Sequence, residues 1–101
     1  MSLEEALLSV WRQVFAEEAK TVILNGASYP IRRTSRSKLR EVDFKFEDAT
    51  LRGVEQNAST NSRWAKLARE GKKVMQILDN GRYVANVVDG KVTVYHPLRE
   101  R

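Results

Sequence analysis

Leu3, Leu7, Val10, Trp11, Val14 and Phe15 recur at helical intervals, forming one apolar stripe of a helix that the pattern carries to about Ala19. Ser2, with Glu5 three residues on, makes a capping-box start. The opposite stripe holds Glu4, Glu5, Glu17 and Glu18 against Arg12 and Lys20, which suits packing on a sheet better than an anionic membrane surface. The period then changes. Residues 21–24 and 29–33 flank Asn25-Gly26 and read as a hairpin, with Pro30 marking a sheet edge or the start of a new pairing because it has no backbone donor. Thr34 to Lys38 is polar and aperiodic, hence a loop.

From Glu41 to Glu47 the alternation is strict, with Val42, Phe44 and Phe46 on one face. After a turn expected at Asp48-Ala49, residues 50–56 form the partner strand. Leu51 and Val54 are out of phase there, so a bulge is expected at Gly53. A polar connector follows, in which Asn61 or Ser62 caps a short helix over Arg63 to Glu70, stopped by Gly71. Three strands then alternate with Asn80-Gly81 and Asp89-Gly90, predicting a three-stranded meander over residues 74–95, with Tyr83 and Tyr95 as cross-strand partners.

The predicted fold class is α+β: an N-terminal helix packed on a curved antiparallel sheet of about seven strands, which can roll into a partial barrel, with a second short helix before the meander. Residues 1–101 are expected to form a single globular domain, with 97–101 a frayed tail. Hydrophobic residues at 42% and charged residues at 31% fit a folded soluble chain. Without cysteine there are no disulfides, thiolate metal sites or cysteine nucleophiles. Glu4, Glu5 and Arg12 interrupt the stretch a signal peptide would need, and no apolar run reaches membrane-spanning length. A cytoplasmic location without membrane partners is expected.

Charge changes the picture most. The net charge of +5 is unevenly spread: residues 31–40 hold five bases and no acid, and residues 61–73 hold five bases and one acid. These 23 residues carry +9 while the remaining 78 carry −4. Such local excess is the footprint of a protein that meets phosphates or an acidic surface. The candidate binding residues are Arg32, Arg33, Arg36, Lys38 and Arg40 in the first stretch and Arg63, Lys66, Arg69, Lys72 and Lys73 in the second. In the first, guanidinium groups alternate with hydroxyls, and both donate to phosphate oxygens. In the second, the cations lie opposite Trp64, Leu67 and Ala68, which read as the docking stripe of the helix.

The leading expectation is therefore a small, basic, non-catalytic module that engages the phosphate backbone of nucleic acid without reading bases. Aromatic interleaving is weak, and Trp64 is expected in the core. The alternative is an accessory domain whose basic patch meets an acidic protein, or whose edge at Tyr29-Pro30-Ile31 pairs with a partner. A third reading is a Mg²⁺-dependent nuclease built on Glu70-Gly71-Lys72 with Asp43 or Glu55. His96 is the sole histidine, so no His-based triad or multi-His metal site is expected, and no cofactor is called for. Asn57 to Ser62 read as helix-capping residues, and Asn57-Ala58-Ser59, an acceptor pattern for glycans, is expected to stay unmodified.

Overall fold

Ser2 caps α1 (Leu3–Val14) as the spacing predicts: its hydroxyl accepts from the Glu5 N–H and the Glu5 carboxylate accepts from the Ser2 N–H, each at 3.1 Å. The computed structural model describes residues 1–35, 38–57 and 63–98. The helix stops at Val14 rather than near Ala19. Continuing it would require the Val14 carbonyl to accept from Glu18, but Arg40 Nη1 already donates to that carbonyl and Glu18 has turned to a φ of +59°.

Eight strands follow among the described residues, in two sheets rather than one. β1 (Thr21–Leu24) and β2 (Ala27–Pro30) form the expected hairpin around Asn25-Gly26. The predicted strand over 29–33 is broken. At Ile31 the backbone N–H donates to Lys20, and β3 (Arg32–Arg33) leaves the hairpin to pair with β4 (Arg40–Phe46). Pro30, unable to donate, stands at that change of partner. β5 (Ala49–Gln56), β6 (Val74–Asp79), β7 (Arg82–Val88) and β8 (Lys91–Val94) complete an antiparallel six-stranded sheet in chain order, and α2 (Arg63–Arg69) lies between β5 and β6. β3 and β8 remain separate edges, so no barrel closes. The β4–β5 turn is Glu47-Asp48, one residue earlier than predicted, because buried Ala49 pairs with Phe46.

The sheet has two unlike faces. Val42, Phe44, Leu51, Met75, Ile77, Ala85 and Val87 face α1 and the hairpin, where with Leu7, Val10, Val14, Val22 and Leu24 they make the core. Gly53 also faces this side, in regular register with Val42 and Ile77, so the bulge predicted there is absent. Its task is clearance: a Cβ would sit 3.0 Å from the Met75 sulfur. Val54 points to the other face, where α2 rests, which accounts for its phase without an extra residue. The register does slip, but between Ile77 and Leu78. α2 ends at Gly71, whose φ is +90°; the Gly71 N–H donates to Ala68 and the Lys72 N–H to Leu67. The caps proposed at Asn61 and Ser62, and the end of the tail, lie outside the described residues.

The α1–hairpin junction closes a strand edge. In a two-residue hairpin Leu24 and Ala27 exchange backbone bonds, so the polar groups of Ile23 point outward. The Gln13 amide meets both, accepting from the Ile23 N–H at 2.7 Å and donating to its carbonyl at 2.9 Å.

Phe44 is fully buried, so Phe44→Ala is expected to cost about 3–5 kcal/mol with the cavity it leaves. Gly53→Val, which forces side-chain atoms against Met75, is expected to cost about 1–3 kcal/mol by overpacking. Urea melts measure both, and near-neutral values would contradict this core.

Candidate functional site

The strand directions decide where the basic stretches emerge. β3 enters and β4 leaves the loop at residues 34–39; β5 enters and β6 leaves the connection carrying α2; β4 and β5 are neighbours. Both connections therefore open at one end of the sheet, rooted on adjacent strands. The last turn of α1 holds both roots. Arg40 Nη1 donates to the Val14 carbonyl, and the Trp11 indole N–H donates to the Lys73 carbonyl at 3.1 Å.

The ten predicted residues divide sharply. Arg40 turns inward: its Nε stands 3.8 Å from a Glu55 carboxylate oxygen and its guanidinium lies 5.8 Å above the Phe15 ring. A cation at a helix C-terminus complements the macrodipole, so Arg40 serves the fold. Arg32 lies on the opposite face in a row with Asp43 and Arg52, at 2.7 Å and 2.8 Å from the carboxylate oxygens, with Glu41 at 3.7 Å from Arg32. Arg33 donates to the Lys38 carbonyl at 2.9 Å, tying the loop while remaining exposed. Lys38, Lys66, Arg69, Lys72 and Lys73 are exposed as well. Among the described residues, none of these six has a carboxylate within 4.0 Å. Arg36 lies outside the described residues, as does the side chain of Arg63.

The acids of this end do not cancel that charge. Glu55 is engaged by Arg40, and one Asp89 oxygen accepts from the Lys73 N–H at 2.7 Å. Glu17, Glu18 and Glu70 are exposed. The described side chains thus leave a positive balance, suited to holding an extended anion. No protein-family model, curated protein or solved structure matches this chain. The chemistry of the site has to stand on its residues.

The remaining expectations meet specific geometry. Asp43 and Glu55 project from opposite faces of the sheet, Asp43 held between two arginines and Glu55 on Arg40, so they do not converge on Glu70 and Lys72. Among the described residues no three His, Asp or Glu side chains are placed to share a metal ion. No described helix is long and apolar enough to cross a membrane. The edge at Tyr29-Pro30-Ile31 offers a partner strand little, since Pro30 has no N–H and that of Ile31 is taken by Lys20. An open depression of about 500 Å³ lies at the other end of the sheet, walled by Asp43, Thr50, Arg52, Leu78 and Asn80.

Sequence reasoning missed Arg52, whose meeting with Asp43 is visible only once the β4–β5 register places them opposite each other. The hydrogen bond from Arg52, joined by that from Arg32, holds the Asp43 carboxyl below its ordinary range against the opposing effect of partial burial, and the same bonds raise both guanidinium values. Because the folded value is the lower one, the stabilisation is complete above the unfolded value, near pH 4, and is lost as pH falls through the folded one. Asp43→Asn is therefore expected to lower stability at neutral pH and to flatten the decline below about pH 4. Denaturant melts of both proteins between neutral and acid pH check this; parallel pH profiles would contradict it.

Proposed function

We propose that this chain is a small, non-catalytic binding module that engages the phosphate backbone of nucleic acid through the exposed cations at one end of its sheet. The observation carrying this reading is the joint anchoring of both basic connections on the last turn of α1. Sequence clustering becomes spatial clustering there, and six cations at that end lack a protein carboxylate partner among the described residues. Arg33, Lys38, Lys66, Arg69, Lys72 and Lys73 carry the reading; Arg32 and Arg40 support the fold around them.

The physical basis is counterion release. Each phosphate neutralised by a fixed lysine or arginine frees condensed cations, so binding is favoured at low salt and tolerant of sequence. The spacing of these residues over a loop, a two-turn helix and the segment after it allows about four or five simultaneous contacts on the scale of ordinary backbone-binding proteins. Nothing in this mode requires a cofactor or a reacting group.

Fluorescence anisotropy with two unrelated sequences each of DNA and RNA, over a range of salt concentrations, tests the reading. Log K is expected to fall with log salt at a slope of about −4, with Lys66→Ala and Lys72→Ala each reducing its magnitude by about one, similarly for all sequences. If wild-type protein binds none of them at low salt the reading fails, and an acidic protein surface becomes the better partner for the same cations.

A further inference from the structure

β8 (Lys91–Val94) is the last strand of the sheet, and its outer side is an unpaired edge. The ladder to β7 fixes which backbone groups that edge presents. Asp89-Gly90 is a two-residue turn with both φ values positive, so Val88 and Lys91 exchange backbone bonds, as do Asn86 and Thr93 two residues on. The Tyr95 N–H donates to the Val84 carbonyl at 2.7 Å, which continues the same alternation. Lys91, Thr93 and Tyr95 therefore bond inward, and the N–H and carbonyl groups of Val92 and Val94 point away from the sheet. Among the described residues none bonds to them.

The other strand ends are blunted. Gln13 covers the β1 side of the hairpin, Pro30 ends β2, and β3 is only two residues long. β8 has no such device. Its one charge, Lys91, stands at the turn; Val92, Thr93 and Val94 are all β-branched, and Val94 is 37% exposed. Val92 and Val94 lie opposite Val87 and Ala85 on the α1 face, so Lys91, Thr93 and Tyr95 lie on the outer face. Tyr95 does not meet Tyr83 there, as the sequence predicts. Tyr83 pairs with Leu78, while the Tyr95 hydroxyl accepts from the Asn86 amide and its ring lies against Trp64, expected in the core, with centroids 6.2 Å apart. These contacts hold the end of β8 in place.

We propose that β8 pairs with β8 of a second copy of this chain, antiparallel about a two-fold axis through Thr93, so that two sheets join into one. The register follows from the outward groups. Centred on Thr93, each Val92 lies opposite Val94 of the second copy and exchanges two bonds with it, so all the outward groups of both strands are satisfied. Centring on Val92 or Val94 satisfies only half of them. The side chains agree with this register. Val92 meets Val94 on the α1 face; on the outer face Thr93 meets Thr93, a favourable cross-strand pair, and Lys91 meets the Tyr95 ring rather than another cation. The strand is thus its own complement. An unrelated extended peptide could supply the backbone bonds but would first have to be ordered, whereas β8 is already held extended by β7. Antiparallel pairing sends the basic ends of the two copies to opposite ends of the joined sheet, so this proposal and the nucleic-acid reading stand or fall separately.

The chain has no cysteine, so one introduced thiol reports the register. Thr93 faces its own copy at a non-hydrogen-bonded position, where Cα atoms stand about 4.5 Å apart, within disulfide range. Thr93→Cys is expected to give a covalent dimer on mild oxidation, and Lys91→Cys, whose copies lie about 13 Å apart along the strands, is not. Sedimentation velocity of the wild-type chain over a concentration series is expected to show monomer passing to dimer. Val94→Pro removes an outward N–H while sparing the ladder to β7, and is expected to raise the dissociation constant about tenfold or more with the circular dichroism unchanged. Thr93→Lys, which opposes two cations at the axis, is expected to do the same without a backbone change. A wild-type chain that stays monomeric at its highest soluble concentration overturns the proposal. A dimer that survives both Val94→Pro and Thr93→Lys, or cross-linking through Lys91→Cys as fast as through Thr93→Cys, overturns it equally.

Discussion

The seating of α1 across one face of the meander is the constraint on which the other arrangements depend. Leu7, Val10 and Val14 fill the surface above Phe44, Leu51 and Ile77, and that burial supplies the main apolar driving force of the fold. Because side chains three apart lie together on a helix, Trp11 and Val14 reach the sheet at the same end. There the Trp11 indole meets the Lys73 carbonyl and the Val14 carbonyl meets Arg40. The same apolar contact that makes the core thus brings together the roots of both basic segments, which are separated in sequence by a hairpin of two full strands.

The outer face obeys a different rule. It is too polar to hold the sheet together by burial, and its order comes from directed bonds: Arg32, Asp43 and Arg52 in a row across neighbouring strands, and Asn86 donating to Tyr95. Exposed ion pairs contribute little to stability, so the row matters more for what it removes from the free charge of the protein. Arg32 is committed to Asp43 and Arg40 to Glu55, leaving the positive excess concentrated around α2 and the loop before β4.

Much of the fold was legible in one-dimensional pattern. The capping box at Ser2, the alternation of residues 42–46 and the Asn-Gly and Asp-Gly turns are local signals, each acting through a few adjacent residues, and all appear where they were read. The class, α+β with one long helix, one short helix and antiparallel strands, follows from them. The candidate cations were legible too, because charge clustering needs no geometry to be counted.

What the sequence could not determine was every outcome set by a partner distant along the chain. Gly53 looked like a bulge because its clearance for Met75 exists only after β5 and β6 pair, and α1 looked longer because the arginine that takes its last carbonyl is 26 residues away. Arg40 and Lys66 are equally charged in sequence, yet Glu55 and the end of a helix draw one inward while the other stays in water. Trp64 sat on a stripe that could face either side of a sheet, and only the path of the β5–β6 connection set it against Tyr95. Propensity and periodicity act over one turn or one strand pair, so they specify the elements; the competition for carbonyls, carboxylates and space between elements is settled only when the chain closes on itself.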